Sequence, residues 1–119
     1  MYLQIEDPSE APLPPEEVRI RSVEIQPYSD GGRFKLMLKL TPFQAPPDIA
    51  IFLEDARGEE VSSLNVIGAT EASVSLTVHV RDPKAMPPFD LNIDVSYEEH
   101  GRVDHRRVTV TPDGEGRSG

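Results

Sequence analysis

Apolar and polar residues alternate most regularly between Phe89 and Glu98. Phe89, Leu91, Ile93, Val95 and Tyr97 hold one phase, and Asp90, Asn92, Asp94, Ser96 and Glu98 hold the other. A period of two puts one side of a β-strand in a core and the other in water. A helical period would scatter these apolar residues around the whole circumference. Glu99-His100-Gly101 follows. A three-residue hairpin loop ends on a left-handed residue, which glycine supplies without steric cost. That loop pairs Tyr97 with Val103 and Val95 with His105. The later apolar residues of the return strand, Val108 and Val110, fall in the other phase, so a β-bulge near Arg106-Arg107 is expected. A two-residue turn at His100-Gly101 is the rival register. It is disfavoured because it aims Asp104 and Arg106 at the core side.

The same period recurs upstream. Val18 and Ile20 share one phase and Val23 and Ile25 the other, which predicts a strand that bulges or changes sheet near Ser22. After a turn at Tyr28-Ser29-Asp30-Gly31-Gly32, the strand Arg33 to Leu40 turns Phe34, Leu36, Leu38 and Leu40 inward. Ile49, Ile51 and Leu53 make the next strand, Asp55-Ala56-Arg57-Gly58 turns it, and Val61 to Ile67 returns as a weaker edge. Val74, Leu76, Val78 and Val80 alternate with Ser73, Ser75, Thr77 and His79. About seven short strands with regularly spaced turns predict an all-β, antiparallel sandwich.

Outside the strands the chain changes character. Residues 1–17 form an acidic, proline-rich N-terminal tail, although Leu3 and Ile5 alternate and would suit a short edge strand. Pro12-Leu13-Pro14-Pro15 fits a PxxP spacing, but no base stands beside it. The sandwich is assigned to 18–111, and 112–119 to a disordered C-terminal tail without a core-forming residue.

The pattern over 18–110 resembles the immunoglobulin-like or fibronectin type III-like sandwiches. Val74–Val80, the proline-rich connection after it, and Phe89–Tyr97 with its hairpin partner look like strands E, F and G. The segment from Phe52 to Val61 is similar to a hairpin of bacterial immunoglobulin-like modules. The chain departs from the antibody type in lacking cysteine and tryptophan, and Phe89 stands where a tyrosine corner would begin. Folds of this kind host many functions, so the resemblance implies architecture rather than activity.

Composition then narrows the function. The chain of 119 residues carries a net charge of −9, and five acids without a base in residues 1–17 supply −5 of it. An acidic chain repels phosphate backbones, so no nucleic acid is expected as a partner. With no cysteine there is no disulfide or thiol chemistry. No run approaches the ~20 apolar residues of a membrane span, and the N-terminus lacks the pattern of a signal peptide, so a cytoplasmic protein without membrane attachment is expected.

Catalytic motifs are missing too. There is no G-x-S-x-G elbow and no phosphate-binding G-x-x-x-x-G-K-[ST] loop, so no enzyme activity and no cofactor are expected. Glu98, His100 and Asp104 are the ligand types that suit a divalent metal, and a small-ligand or metal site at the Glu98–His105 hairpin is the alternative reading. Glu54-Asp55 with Glu59-Glu60 offers oxygen ligands without an EF-hand spacing. Arg102, Arg106 and Arg107 face Asp90, Asp94 and Glu98 on the strand opposite, which predicts cross-strand charge pairing. The leading expectation is a non-enzymatic interaction module for a protein partner. Its contacts would be Phe43 and Gln44 in the 41–48 loop and His100 in the hairpin turn. The free sheet edges offer a second mode, strand addition by a peptide or by a second copy as a homodimer.

Overall fold

The computed structural model describes residues 11–112 and the backbone of 116–118. Among these residues eight strands run antiparallel in two sheets. They are β1 (Ile20–Pro27), β2 (Arg33–Leu40), β3 (Asp48–Glu54), β4 (Glu60–Val66), β5 (Ser73–His79), β6 (Phe89–Tyr97), β7 (Gly101–Val110) and β8 (Gly116–Ser118). One sheet has the order β5-β2-β1-β8 and the other β4-β3-β6-β7. The chain is all-β, as the alternation predicts, and the seven longer strands fall where the apolar residues alternate.

The inward phases of the two sheets meet in one core. Phe34, Leu36 and Leu38 from β2 and Val23 and Ile25 from β1 face Ile49, Ile51 and Leu53 from β3 and Leu91, Ile93 and Val95 from β6, all of them buried. The rings of Phe34 and Phe89 meet edge to face, their centroids 5.7 Å apart, and so join the two layers. The change of phase in β1 is real. Pairing with β2 slips between Ile20 and Ser22, and Val18 and Ile20 stay buried on one side of that slip while Val23 and Ile25 are buried on the other.

The β6–β7 hairpin differs from the expected register. Tyr97 pairs with Gly101, so the loop is Glu98-Glu99-His100, one residue earlier than the sequence suggested. The His100 N–H donates to the Tyr97 carbonyl at 3.1 Å, and Gly101 has φ +71°. The bulge falls at Val103, between the pairs Val95–Asp104 and Ser96–Arg102, instead of at Arg106-Arg107. Asp104 and Arg106 therefore share the inward face with Val95 and Ile93. The cost that disfavoured this arrangement is offset by the backbone of β1. Asp104 Oδ2 accepts from the Ile20 N–H at 2.7 Å, and Arg106 Nη2 donates to the Ile20 carbonyl at 2.7 Å. The two inward charges thus clamp the first residue of β1 at its slip. Asp104→Ala is expected to lower stability by about 1–2 kcal/mol in urea unfolding, because it strands the Ile20 N–H. Asp104→Asn, which keeps an acceptor, should lose less than half of that.

Both tails need correction. The segment from Leu13 to Glu17 is part of the folded domain. The Leu13 N–H donates to the Pro42 carbonyl at 3.1 Å, the Gln44 N–H donates to the Leu13 carbonyl at 2.9 Å, and Pro15–Glu17 form a 3-10 turn. Gly116–Ser118 pairs with β1 at Ile25, Glu24 and Val23. Gly116-Arg117-Ser118 has no apolar alternation to read. The alternation of Leu3 and Ile5 lies outside the described residues.

Candidate functional site

One end of the sandwich is closed by three connections: residues 41–47 between β2 and β3, residues 67–72 between β4 and β5, and the Glu98–His100 turn. Pro42, Pro46 and Pro47 restrict the first of them. Tyr97, buried at the end of β6, donates its O–H to the Ala45 carbonyl at 2.8 Å and so ties the hairpin to this loop. Burial pushes the Tyr97 phenol above its usual pKa. The His100 ring stands edge-on to the Tyr97 ring, with centroids 6.3 Å apart. The second connection is fixed to the first: the Ala69 N–H donates to the Pro47 carbonyl at 2.8 Å, and the Gly68 N–H donates to Asp48 Oδ1 at 2.8 Å.

Together these contacts frame a concavity of about 350 Å3 between Pro15, Pro46, Asp48, Ile67, Glu98 and His100. Ile67 is 78% exposed, the most exposed large apolar residue among those described. No lysine or arginine lines the concavity among the described residues. The surface therefore combines an apolar knob, proline rings and carboxylates.

Of the three contacts read from the sequence, the structure puts only His100 at this concavity. Phe43 is half-buried against the core beside Leu13, with which it forms an isolated bridge. Gln44 is exposed, and its side-chain amide reaches the Pro12 carbonyl at 3.3 Å. Both contact the N-terminal segment, Phe43 through its bridge to Leu13 and Gln44 through the Pro12 carbonyl. Ile67 was read only as the end of a weak strand. Its signal is an isoleucine that breaks the inward phase of Leu64 and Val66 just before a glycine.

The metal ligands read from the hairpin do not converge. Asp104 is engaged by Ile20, away from Glu98 and His100. Among the described residues no group of three His, Asp or Glu side chains is placed to hold a metal ion. The expected cross-strand charge pairing is present for Arg107 and Arg102. Arg107 meets Asp90 at 2.7 Å and Arg102 meets Asp94 at 3.2 Å, while Arg106 turns inward to Ile20. His105 Nδ1 also contacts Asp94, at 2.6 Å.

At the opposite end the carboxylates are structural. Asp55 is buried, and its oxygens accept from the N–H groups of Arg57, Glu59 and Met86 and from Arg57 Nε at 2.7 Å. Burial pushes its carboxyl up, but these donors outweigh that and hold it down at about 2. The Lys84 N–H, against some burial and together with Arg57, lowers Asp82. Arg107 and Thr109 lower Asp90, and the Gly32 N–H and Arg33 lower Asp30. Each shifted acid is thus accounted for by the turn or strand pair it holds.

Solved structures share this fold. β-Glucuronidase from Ruminococcus gnavus, in complex with N1-substituted uronic isofagomine, superposes with a TM-score of 0.53 and 16% identity over 82% of this chain. The same enzyme with D-glucuronic acid gives 0.52 and 15%, and its apo form at 1.7 Å gives 0.51 and 15%, again over 82% of this chain. The chain spans only 16% of the length of those proteins. No protein-family model matches the chain, and no curated protein matches it.

Proposed function

We propose that the chain is a non-enzymatic, immunoglobulin-like or fibronectin type III-like sandwich module that binds a protein partner at the Ile67–His100 end. The observation that carries the reading is the concavity itself: a largely exposed isoleucine beside prolines and carboxylates, on loops pinned by hydrogen bonds. Rigid loops on a sandwich lose little entropy on binding, and an exposed apolar residue at such a site is a natural anchor. The strand order supports the family resemblance. Lettered in sequence as A, B, C, C′, E, F and G, strands β1 to β7 fall into E-B-A and C′-C-F-G sheets. The match to a small share of a much longer chain supports an accessory role, since the same fold there is one part of a larger polypeptide.

The partner is expected to present an apolar side chain with a basic neighbour, complementary to Ile67 and to Glu98 and Glu99. Affinity capture from a lysate of the source cell tests this with wild type and Ile67→Asp side by side. A partner held by wild type should be lost at least about tenfold by Ile67→Asp, the effect of removing one anchor residue. Equal retention by both would overturn the assignment of this end. Truncation should begin after residue 10, because Leu13 and Pro15 belong to the folded domain.

A further inference from the structure

The four sheet edges are not alike. β7 carries a bulge and two inward charges, Asp104 and Arg106. β4 slips against β3 where it begins, next to the exposed Glu59 and Glu60, and β8 is three residues long. Such features discourage a second chain from pairing. β5 has none of them. It pairs with β2 residue for residue from Ser73–Lys39 to His79–Arg33 without a slip. Its sequence, SVSLTVH, contains no proline, acid, lysine or arginine. Among the described residues no strand pairs with its other side.

The free groups on that side can be counted. The Val80 N–H donates to the Gly32 carbonyl and the Leu40 N–H donates to the Ala72 carbonyl. Hydrogen-bonded pairs alternate along an antiparallel ladder, so the even-numbered residues of β5 bond to β2. Ser73, Ser75, Thr77 and His79 therefore direct their N–H and C=O groups away from it. On the inward face Val74 and Leu76 are only half-buried, although their β2 partners Leu38 and Leu36 are 1% and 0% exposed. A trough of about 350 Å3 runs beside Thr77 and His79, bounded across the layers by Val61 and Leu64 of β4.

We propose that β5 pairs with β5 of a second copy, antiparallel about a two-fold axis at Leu76. That register is self-complementary, as a two-fold interface requires. Ser73 faces His79 of the copy and Ser75 faces Thr77, so every outward-directed backbone group of the four residues finds a partner. Val74 faces Val78, and Leu76 faces Leu76, covering the half-exposed apolar positions. No like charges stand directly opposite each other. The basic residues of β2, Arg33, Lys35 and Lys39, lie one strand further back on each copy, and Arg33 is paired with Asp30. The two sheets become one sheet of eight strands. This inference uses a different surface from the Ile67–His100 end and does not depend on it.

Light scattering of the full chain over rising concentration should show the mass climbing from 13.2 kDa toward twice that value. A mass that stays at 13.2 kDa throughout overturns the proposal. Ser75→Pro removes an N–H on the free side only, so it should leave the β2 pairing intact and hold the chain monomeric. A dimer that survives Ser75→Pro overturns the proposal as well. A second test stands if that variant does not fold. In a chain with no native cysteine, Leu76→Cys puts two thiols on non-hydrogen-bonded partners, with Cα atoms about 4.5 Å apart, within disulfide reach. Mild oxidation should then give a covalent dimer on a non-reducing gel, while Met37→Cys on β2 stays monomeric. No cross-link at Leu76→Cys, or equal cross-linking at both positions, overturns the register.

Discussion

Phe34→Ala is expected to lower unfolding free energy by about 3–5 kcal/mol. Phe34 is the largest side chain with no exposed surface, and it lies on β2 between Pro27 of β1 and Val78 of β5. Its ring packs edge-on against Phe89 of the opposite sheet at 5.7 Å. Truncation removes the apolar burial of the ring and opens a cavity between two sheets whose backbones are fixed by their ladders and cannot close over it. It also leaves Phe89 without its partner. A domain of this size has roughly 5–15 kcal/mol of stability in total, so the variant should be near the edge of folding at room temperature. Phe34→Leu should lose about a third as much. A loss below about 1 kcal/mol for Phe34→Ala, measured by urea unfolding, would mean that the two sheets do not meet at this pair.

Asp55→Ala is expected to drop the thermal midpoint by roughly 10 °C. Asp55 accepts from three backbone N–H groups and one guanidinium, and it joins the β3–β4 turn to the β5–β6 connection through Met86. The Ala56 N–H donates to the Met86 carbonyl at 2.7 Å beside it. Without the carboxylate these buried donors lose their acceptor and the two connections separate. Asp55→Asn keeps one acceptor oxygen and should fall between wild type and Asp55→Ala. Its acid profile should also differ. The folded carboxyl titrates at about 2 against an ordinary value of 3.8. The stabilisation from Asp55 is therefore present above about pH 4 and is lost as the pH falls toward 2. Thermal melts between pH 4 and 2 should decline less steeply for Asp55→Asn than for wild type. Parallel declines would show that Asp55 does not carry that part of the acid sensitivity.

The alternation of apolar residues made the strands and the two-layer core legible, because period two reports which face is buried without reference to any other part of the chain. Register was not legible. Whether Asp104 and Arg106 can face inward depends on the backbone of Ile20, 84 and 86 residues away in sequence, which offers them one donor and one acceptor. The same holds for Asp55. Its place in Asp55-Ala56-Arg57-Gly58 marked it as a turn residue, and only the fold brings Met86 within reach. The tails misled for a related reason: Leu13 is held by backbone bonds to Pro42 and Gln44 as well as by packing on the core, and Gly116–Ser118 pairs with β1 through a ladder that any residues can form. At the candidate site, His100 lies at the concavity because the hairpin turn and the 41–48 loop share one end of the sandwich, as the strand order implied. Phe43 lies in that loop, but a neighbouring segment half covers it. Ile67 had only its broken phase to mark it.

Amide chemical-shift mapping of the full chain with a captured partner tests the central claim most directly. Binding at the Ile67–His100 end should move the resonances of Ala45, Asp48, Ile67, Gly68, Glu98, Glu99 and His100 together, and leave the outer face of β3 and β6 unchanged. Shifts on that outer face, with the loop resonances silent, would contradict it.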